Sequence, residues 1–130
     1  MKDTNSMDNK DVKTVQQLRL LYEEVLYCVN KITELIDNKF YEDIEGIVTR
    51  RSHVLQDIAS LKRSYGKALP EKFDELAEKI KLIDRENVKR LEQLKAETAS
   101  ELEITKNKSK VLNAYSGLEN TSGEILDYNE

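Results

Sequence analysis

Glycine, proline and tryptophan are scarce in this sequence of 130 residues, which contains four Gly, one Pro and no Trp. Strand-rich folds need frequent Gly or Pro turns and many β-branched or aromatic residues, and only 6% of the residues are aromatic. Charged residues, in contrast, make up 35% of the chain, against about 25% in ordinary domains. The composition therefore disfavours a β fold and predicts one highly charged, all-α domain.

Cysteine and long apolar segments are also rare. The single cysteine, Cys28, excludes an intramolecular disulfide framework and fits a reducing compartment. The longest uninterrupted apolar run is 25–29, whereas a membrane-spanning helix needs about 20 residues, and residues 1–11 lack the apolar stretch of a secretory signal. We therefore expect a cytoplasmic protein without membrane insertion.

Positive charge is not in excess, because 21 basic residues face 25 acidic ones and the net charge is −4. This balance argues against a broad cationic surface for nucleic acid. The whole imbalance falls in residues 116–130, which hold four acids and no base. A basic cluster comes just before this acidic tail: Lys106, Lys108 and Lys110.

Apolar residues recur at steps of three and four in two segments, a spacing typical of buried helix faces. The first segment predicts a helix over about 12–37 and the second a helix over about 41–64. Because the connection between them is short, we expect antiparallel neighbours. The periodic residues are Val15, Leu18, Tyr22, Val25, Val29, Ile32 and Ile36, then Ile44, Ile47, Val48, Val54, Leu55, Ile58 and Leu61.

Gly66 and Pro70 mark the clearest boundary, since Gly commonly ends a helix and Pro commonly begins one. The period then continues without Gly or Pro until Gly117, which predicts a third helix over about 70–115. At about 1.5 Å per residue this helix would be near 68 Å long, against about 35 Å for each of the others. We therefore expect an antiparallel three-helix bundle whose third helix overhangs, with a disordered tail at 1–11 and an acidic tail or short fourth helix at 116–130.

Catalytic and metal-binding motifs are missing from the sequence. His53 is the sole histidine, and the chain has no zinc-type His/Cys spacing, no phosphate-binding glycine loop and no G-x-S-x-G motif. We therefore expect no enzyme activity and no cofactor. A mutase of the chorismate mutase type is a remote alternative, suggested by Ile83-Asp84-Arg85 and Arg50-Arg51.

Three polar residues fall on or beside the apolar faces of the predicted helices, which we call the seams. They are Arg51 in the second helix, and Asp84 and Asn87 in the third. Such residues can form a buried polar layer that fixes the register of the helices. The spacing allows a direct pairing of Arg51 with Asp84.

The third helix resembles that of the flagellar type III export chaperones of the FliT family, with the FlgN-like chaperones as a near alternative. The resemblance rests on an acid-and-Asn turn at 82–87, leucines at helical spacing, the run 101–104 and above all the Lys-to-Asn-Ala-Tyr ending at 108–115. The second helix is similar as well, through Tyr41, Ile44, Val48 and Arg51. Family members often carry Trp where this chain has Tyr41. The match covers about 15–118, which is nearly the whole domain.

The resemblance implies a small cytoplasmic helical bundle that binds the C-terminal helical segment of the filament cap protein FliD before secretion and also contacts the export ATPase apparatus. Some family members bind a flagellar transcription regulator, a property that differs between lineages. A client helix would lie along the third helix and contact it through residues spaced three and four apart. The expected client-binding residues are Ile83, Asn87, Leu91, Leu94 and Thr98, with Leu102 and Tyr115 at the periphery.

Ordinary core packing is the competing interpretation for each of these residues. The acidic tail is expected to mask the client site through Leu118, Ile125 and Leu126, aided by attraction to the basic cluster. A generic helical adaptor or coiled-coil oligomer remains the alternative function, and the sequence also allows a homodimer.

Overall fold

The computed structural model describes residues 9–97 and Leu126. Three α-helices pack against each other: α1 spans Asn9–Asp37, α2 spans Ile44–Tyr65 and α3 spans Lys72–Glu97. A short 3-10 turn at Tyr41–Asp43 precedes α2. No strand occurs in this part of the chain, so the predicted all-α class is confirmed there.

Helix α1 is the central element, because it contacts both α2 and α3. It begins at Asn9, so residues 9–11 are helical although the sequence predicted a disordered segment over 1–11. Asp11, in its first turn, forms an ion pair with Lys67 in the α2–α3 connection. This contact ties the start of α1 to the body of the bundle. The portion of the predicted third helix at 98–115 lies outside the described residues.

The end of α1 is closed by two backbone hydrogen bonds. The Phe40 N–H donates to the Leu35 carbonyl and the Lys39 N–H donates to the Ile36 carbonyl, at 2.9 and 3.1 Å. This pairing is the Schellman pattern, which requires a left-handed residue just after the helix. Lys39 takes that conformation with φ of 63°, a position that glycine usually fills.

Gly66 ends α2 as the sequence predicts. Its φ of 67° is left-handed and its N–H donates to the Lys62 carbonyl. Pro70 then precedes α3 by two residues, and its carbonyl accepts a hydrogen bond from the Phe73 N–H at 3.0 Å. The two breakers therefore separate α2 from α3 within a short connection.

The apolar interior forms two clusters. The first apolar cluster joins the first two thirds of α1 to the second half of α2 and the first part of α3, and Leu126 belongs to it. The second apolar cluster joins the end of α1, the start of α2 and the later part of α3. Members of the first cluster are Leu18, Tyr22, Val25, Val29, Val54, Leu55, Ile58, Leu69, Phe73, Ala77, Ile80 and Leu126. Members of the second are Ile32, Leu35, Ile36, Ile44, Val48, Val88 and Leu91.

Among residues 9–97, no helix combines the length and the apolar character that crossing a bilayer requires.

Candidate functional site

A polar layer lies between the two apolar clusters. Arg51 of α2 and Asp84 of α3 are both buried and face each other with two contacts. The Arg51 Nη2 atom lies 2.7 Å from Asp84 Oδ2, and Nε lies 3.2 Å from Oδ1. This fork-to-fork geometry is the strongest arrangement for a guanidinium and a carboxylate. The pairing that the sequence allowed is therefore present.

Asn87 extends the polar layer from α3 to α1. Its side-chain Nδ2 donates to the Val29 carbonyl at 3.0 Å, and its Oδ1 lies 2.7 Å from the Thr33 hydroxyl. Asn87 is buried, and hydrogen bonds to both ends of its amide offset the cost of removing it from water. The layer therefore links α3 to both other helices by directional bonds.

The four expected client-binding residues that the structure describes divide into two kinds. Asn87 and Leu91 are buried, with Leu91 in the second apolar cluster. Ile83 and Leu94 are half-buried, Ile83 against the first cluster and Leu94 against the second. Ile83 and Leu94 thus form the accessible edge of α3, while Asn87 and Leu91 hold α3 in place. Thr98, Leu102 and Tyr115 lie outside the described residues.

Leu126 is the one expected masking residue whose position is described. It is helical and buried within the first apolar cluster, the cluster against which Ile83 packs. Leu118 and Ile125 lie outside the described residues, as does the basic cluster at 106–110. Leu126 therefore belongs to the cluster against which Ile83, one end of the accessible edge of α3, packs.

A groove between α1 and α2 was missed by the sequence analysis. It encloses about 420 Å³, and we call it the α1/α2 groove. Leu20 projects into solvent with 65% of its surface exposed, although it lies off the apolar seam of α1. A leucine outside the apolar seam is the one indication of this groove in the sequence, but it can be interpreted only once its neighbours on α2 are known. The lining residues are Gln17, Leu20, Leu21, Glu24, Asp57, Ser60 and Leu61.

Arg50 borders the same side of the bundle. Its Nε donates to Glu24 Oε2 at 2.8 Å, and the guanidinium lies 5.7 Å from the centre of the Tyr27 ring. The hydrogen bond that Arg50 donates to the Glu24 carboxylate raises the pKa of Arg50 above its ordinary value. Both members of the Arg50-Arg51 pair therefore face carboxylates of this chain, Glu24 and Asp84.

Cys28 and His53 are the sole cysteine and the sole histidine of the chain. Cys28 is buried in α1, and removal from water raises the pKa of its thiol, so the protonated form is favoured. His53 is exposed on α2. Within residues 9–97 and Leu126, no group of three or more His, Cys, Asp or Glu side chains is placed to hold a metal ion.

Comparisons of the chain with models of known protein families, with curated proteins and with solved structures find no match in any of the three.

Proposed function

We propose that this chain is a cytoplasmic, non-enzymatic export chaperone of the FliT type, which binds the C-terminal helical segment of a flagellar filament cap protein and delivers it to the export ATPase apparatus. The sequence resemblance at 82–87 and 108–115 supplies the identity of the client. The observation that carries the binding site is the half-buried pair Ile83 and Leu94 on α3.

Ile83 and Leu94 are placed to form one stripe. They are eleven residues apart in the sequence, which is about three helical turns and about 16 Å along the axis. At about 100° per residue the two side chains leave α3 in nearly the same direction. An amphipathic client helix of similar length would cover both residues and bury the apolar surface that they leave exposed.

The polar layer gives this edge a fixed position. Because Asn87 and Asp84 bond to α1 and α2, α3 is held at a set rotation about its axis. Ile83 and Leu94 are then presented to a client without a rearrangement of the helix, so less ordering cost opposes binding.

We further propose that consecutive helices run antiparallel, as in a simple up-down-up bundle. Support comes from paired contacts in which residue numbers rise on one helix and fall on the next. Glu24 meets Arg50 while Asp11 meets Lys67. In this arrangement α3 runs alongside α1 in the same direction.

The tail completes the proposal as a mask. Leu126 lies in the first apolar cluster, so a client that reaches the Ile83 end of the edge would compete with the tail. Leu94 packs against the second cluster, which does not contain Leu126. The mask is therefore proposed to act at the Ile83 end only.

Calorimetric titration with the C-terminal segment of a filament cap protein tests the client site. The double variant Ile83→Ala with Leu94→Ala should weaken binding by about tenfold or more, because each alanine removes apolar contact area, and about 1.4 kcal/mol corresponds to tenfold. Leu82→Ala is the matched control, since Leu82 is adjacent on α3, 62% exposed and outside the stripe. Absence of binding by folded wild-type protein, or an equal loss in the Leu82 variant, would contradict the proposal.

A further inference from the structure

We propose that the α1/α2 groove is a second docking surface, which accepts a basic amphipathic helix of another protein. This surface is separate from the client edge. Tyr22, Val29 and Thr33 mark the side of α1 that meets α3, through contacts with Phe73 and Asn87. At about 100° per residue, the α1 residues of the groove lie about 150° around the helix from that side. The groove and α3 are therefore on nearly opposite sides of α1.

The floor of the groove is apolar. Leu20 is 65% exposed, while Leu21 and Leu61 are half-buried and pack against the first apolar cluster. An exposed leucine alone is ordinary on a protein surface, but three leucines that converge on one groove form a contiguous patch. A partner side chain that fills the groove would remove this area from water, and that burial is the main source of binding free energy.

The rim of the groove is acidic. Glu24 and Asp57 line it, and none of its lining residues is basic. The Glu24 carboxylate is paired with the Arg50 guanidinium. Within residues 9–97 and Leu126, no ion pair or hydrogen bond engages the Asp57 carboxylate. A partner with Lys or Arg beside its apolar face would thus meet a carboxylate that no residue of the described part of the chain pairs with, which favours association and selects against acidic helices.

The same charges disfavour a second copy of this chain as the occupant. Two grooves that faced each other would bring two Glu24 and two Asp57 carboxylates together, and opposed like charges cost free energy.

The length of the groove along α1 limits the length of the partner helix. The groove's lining on α1 runs from Gln17 to Glu24, and the exposed Tyr27 follows on the next turn of the same side of α1. From Gln17 to Tyr27 this side spans about 15 Å, so it fits about three turns of helix.

A stapled synthetic helix of about three turns, with leucines on one face and lysines beside them, is the probe for this groove. An otherwise identical peptide carries glutamates in place of the lysines. Fluorescence anisotropy with the full chain should give a Kd at least about tenfold lower for the lysine peptide. Leu20→Glu and Asp57→Lys should each weaken its binding by about tenfold. Both side chains are exposed, so the circular dichroism spectra of the variants should match wild type.

Two matched controls lie on α3, outside the groove. Leu82→Glu places the same charge on a similarly exposed leucine, and Glu86→Lys makes the same charge reversal at another exposed acid. Both should change the Kd by less than about twofold. Equal affinity for the two peptides, equal losses in the controls, or a wild-type dimer that Leu20→Glu dissociates in sedimentation would each overturn the proposal. Failure of the cap-protein titration would leave this result unaffected, because the two surfaces are distinct.

Discussion

At the scale of single residues, Arg51 and Asp84 form a buried ion pair. Both side chains are almost completely removed from water, and the two charges face each other at hydrogen-bonding distance. A buried ion pair gains little over apolar residues of the same volume, yet loss of one partner leaves a buried charge alone and is strongly destabilising. The pair is therefore better understood as a device that fixes the position of α3 than as a source of net stability.

The variant Asp84→Ala tests this interpretation. It should lower the free energy of unfolding by about 3–5 kcal/mol, because Arg51 would lose its carboxylate partner in the interior. The double variant Arg51→Leu with Asp84→Leu should lose less stability than the single variant, since neither charge of the pair remains. Urea unfolding followed by circular dichroism measures both values.

The exposed pair Arg19 and Glu23, 3.1 Å apart, supplies the control for that comparison. Glu23→Ala should cost at most about 0.5 kcal/mol, because exposed ion pairs contribute little. A double variant that is less stable than Asp84→Ala would contradict this interpretation, because the ion pair would then contribute net stability to the fold.

Residue-level prediction from the sequence succeeded where periodicity was informative. Arg51, Asp84 and Asn87 were placed on or beside the seams, and the Arg51–Asp84 pairing was identified as one that the spacing allows. The bond from Thr33 to Asn87 was not foreseen. Thr33 lies 54 positions before Asn87, and whether the two meet depends on how α1 and α3 cross, which helical spacing alone does not determine.

At the scale of secondary structure elements, the helix ends show what local chemistry reveals. Gly66 was recognised because glycine is the usual left-handed residue after a helix. Lys39 takes the same conformation with φ of 63°, but lysine gives no such signal. The predicted end of the first helix, at about residue 37, agrees with the end of α1 at Asp37, but the sequence does not predict the left-handed conformation that follows.

Exchange of residue type at these two ends should have opposite effects on stability. Lys39→Gly should raise the free energy of unfolding by about 0.5–1 kcal/mol, because a left-handed conformation is strained for lysine and relaxed for glycine. Gly66→Ala should lower it by about 1 kcal/mol, since φ of 67° is unfavourable for alanine. Thermal unfolding of the two single variants measures both changes, and a destabilised Lys39→Gly protein would contradict the account.

At the scale of the whole molecule, the two apolar clusters and the polar layer between them separate the two ends of the proposed client edge. Ile83 packs against the first cluster, which contains Leu126, and Leu94 packs against the second. The sequence predicts the stripe, with Leu102 and Tyr115 at its periphery, but it does not separate interior from edge residues among the others. Which of them are interior and which form the edge follows from the rotation of α3 on α1, a property of the assembled bundle.

The mask predicts a specific coupling between the tail and the edge. Leu126→Ala weakens the tail contact, and a loss of about 1 kcal/mol there would tighten client binding about fivefold. The gain should disappear in an Ile83→Ala background, because the two residues act at the same end. Leu69→Ala is the control, since Leu69 is a buried leucine of the same cluster outside the tail. Calorimetric titration of wild type, the Leu126→Ala and Ile83→Ala single variants, their double variant and Leu69→Ala measures the coupling, and unchanged affinity in Leu126→Ala would refute the mask.

Hydrogen exchange of the full chain, with and without the cap-protein segment, locates the surface that binds the client. Amide exchange reports local opening, so a bound helix should slow exchange where it contacts the protein. We expect added protection concentrated on α3 between Ile83 and Leu94, with little change at the α1/α2 groove. Protection centred on the groove, or no protection at client concentrations that saturate binding, would contradict this expectation.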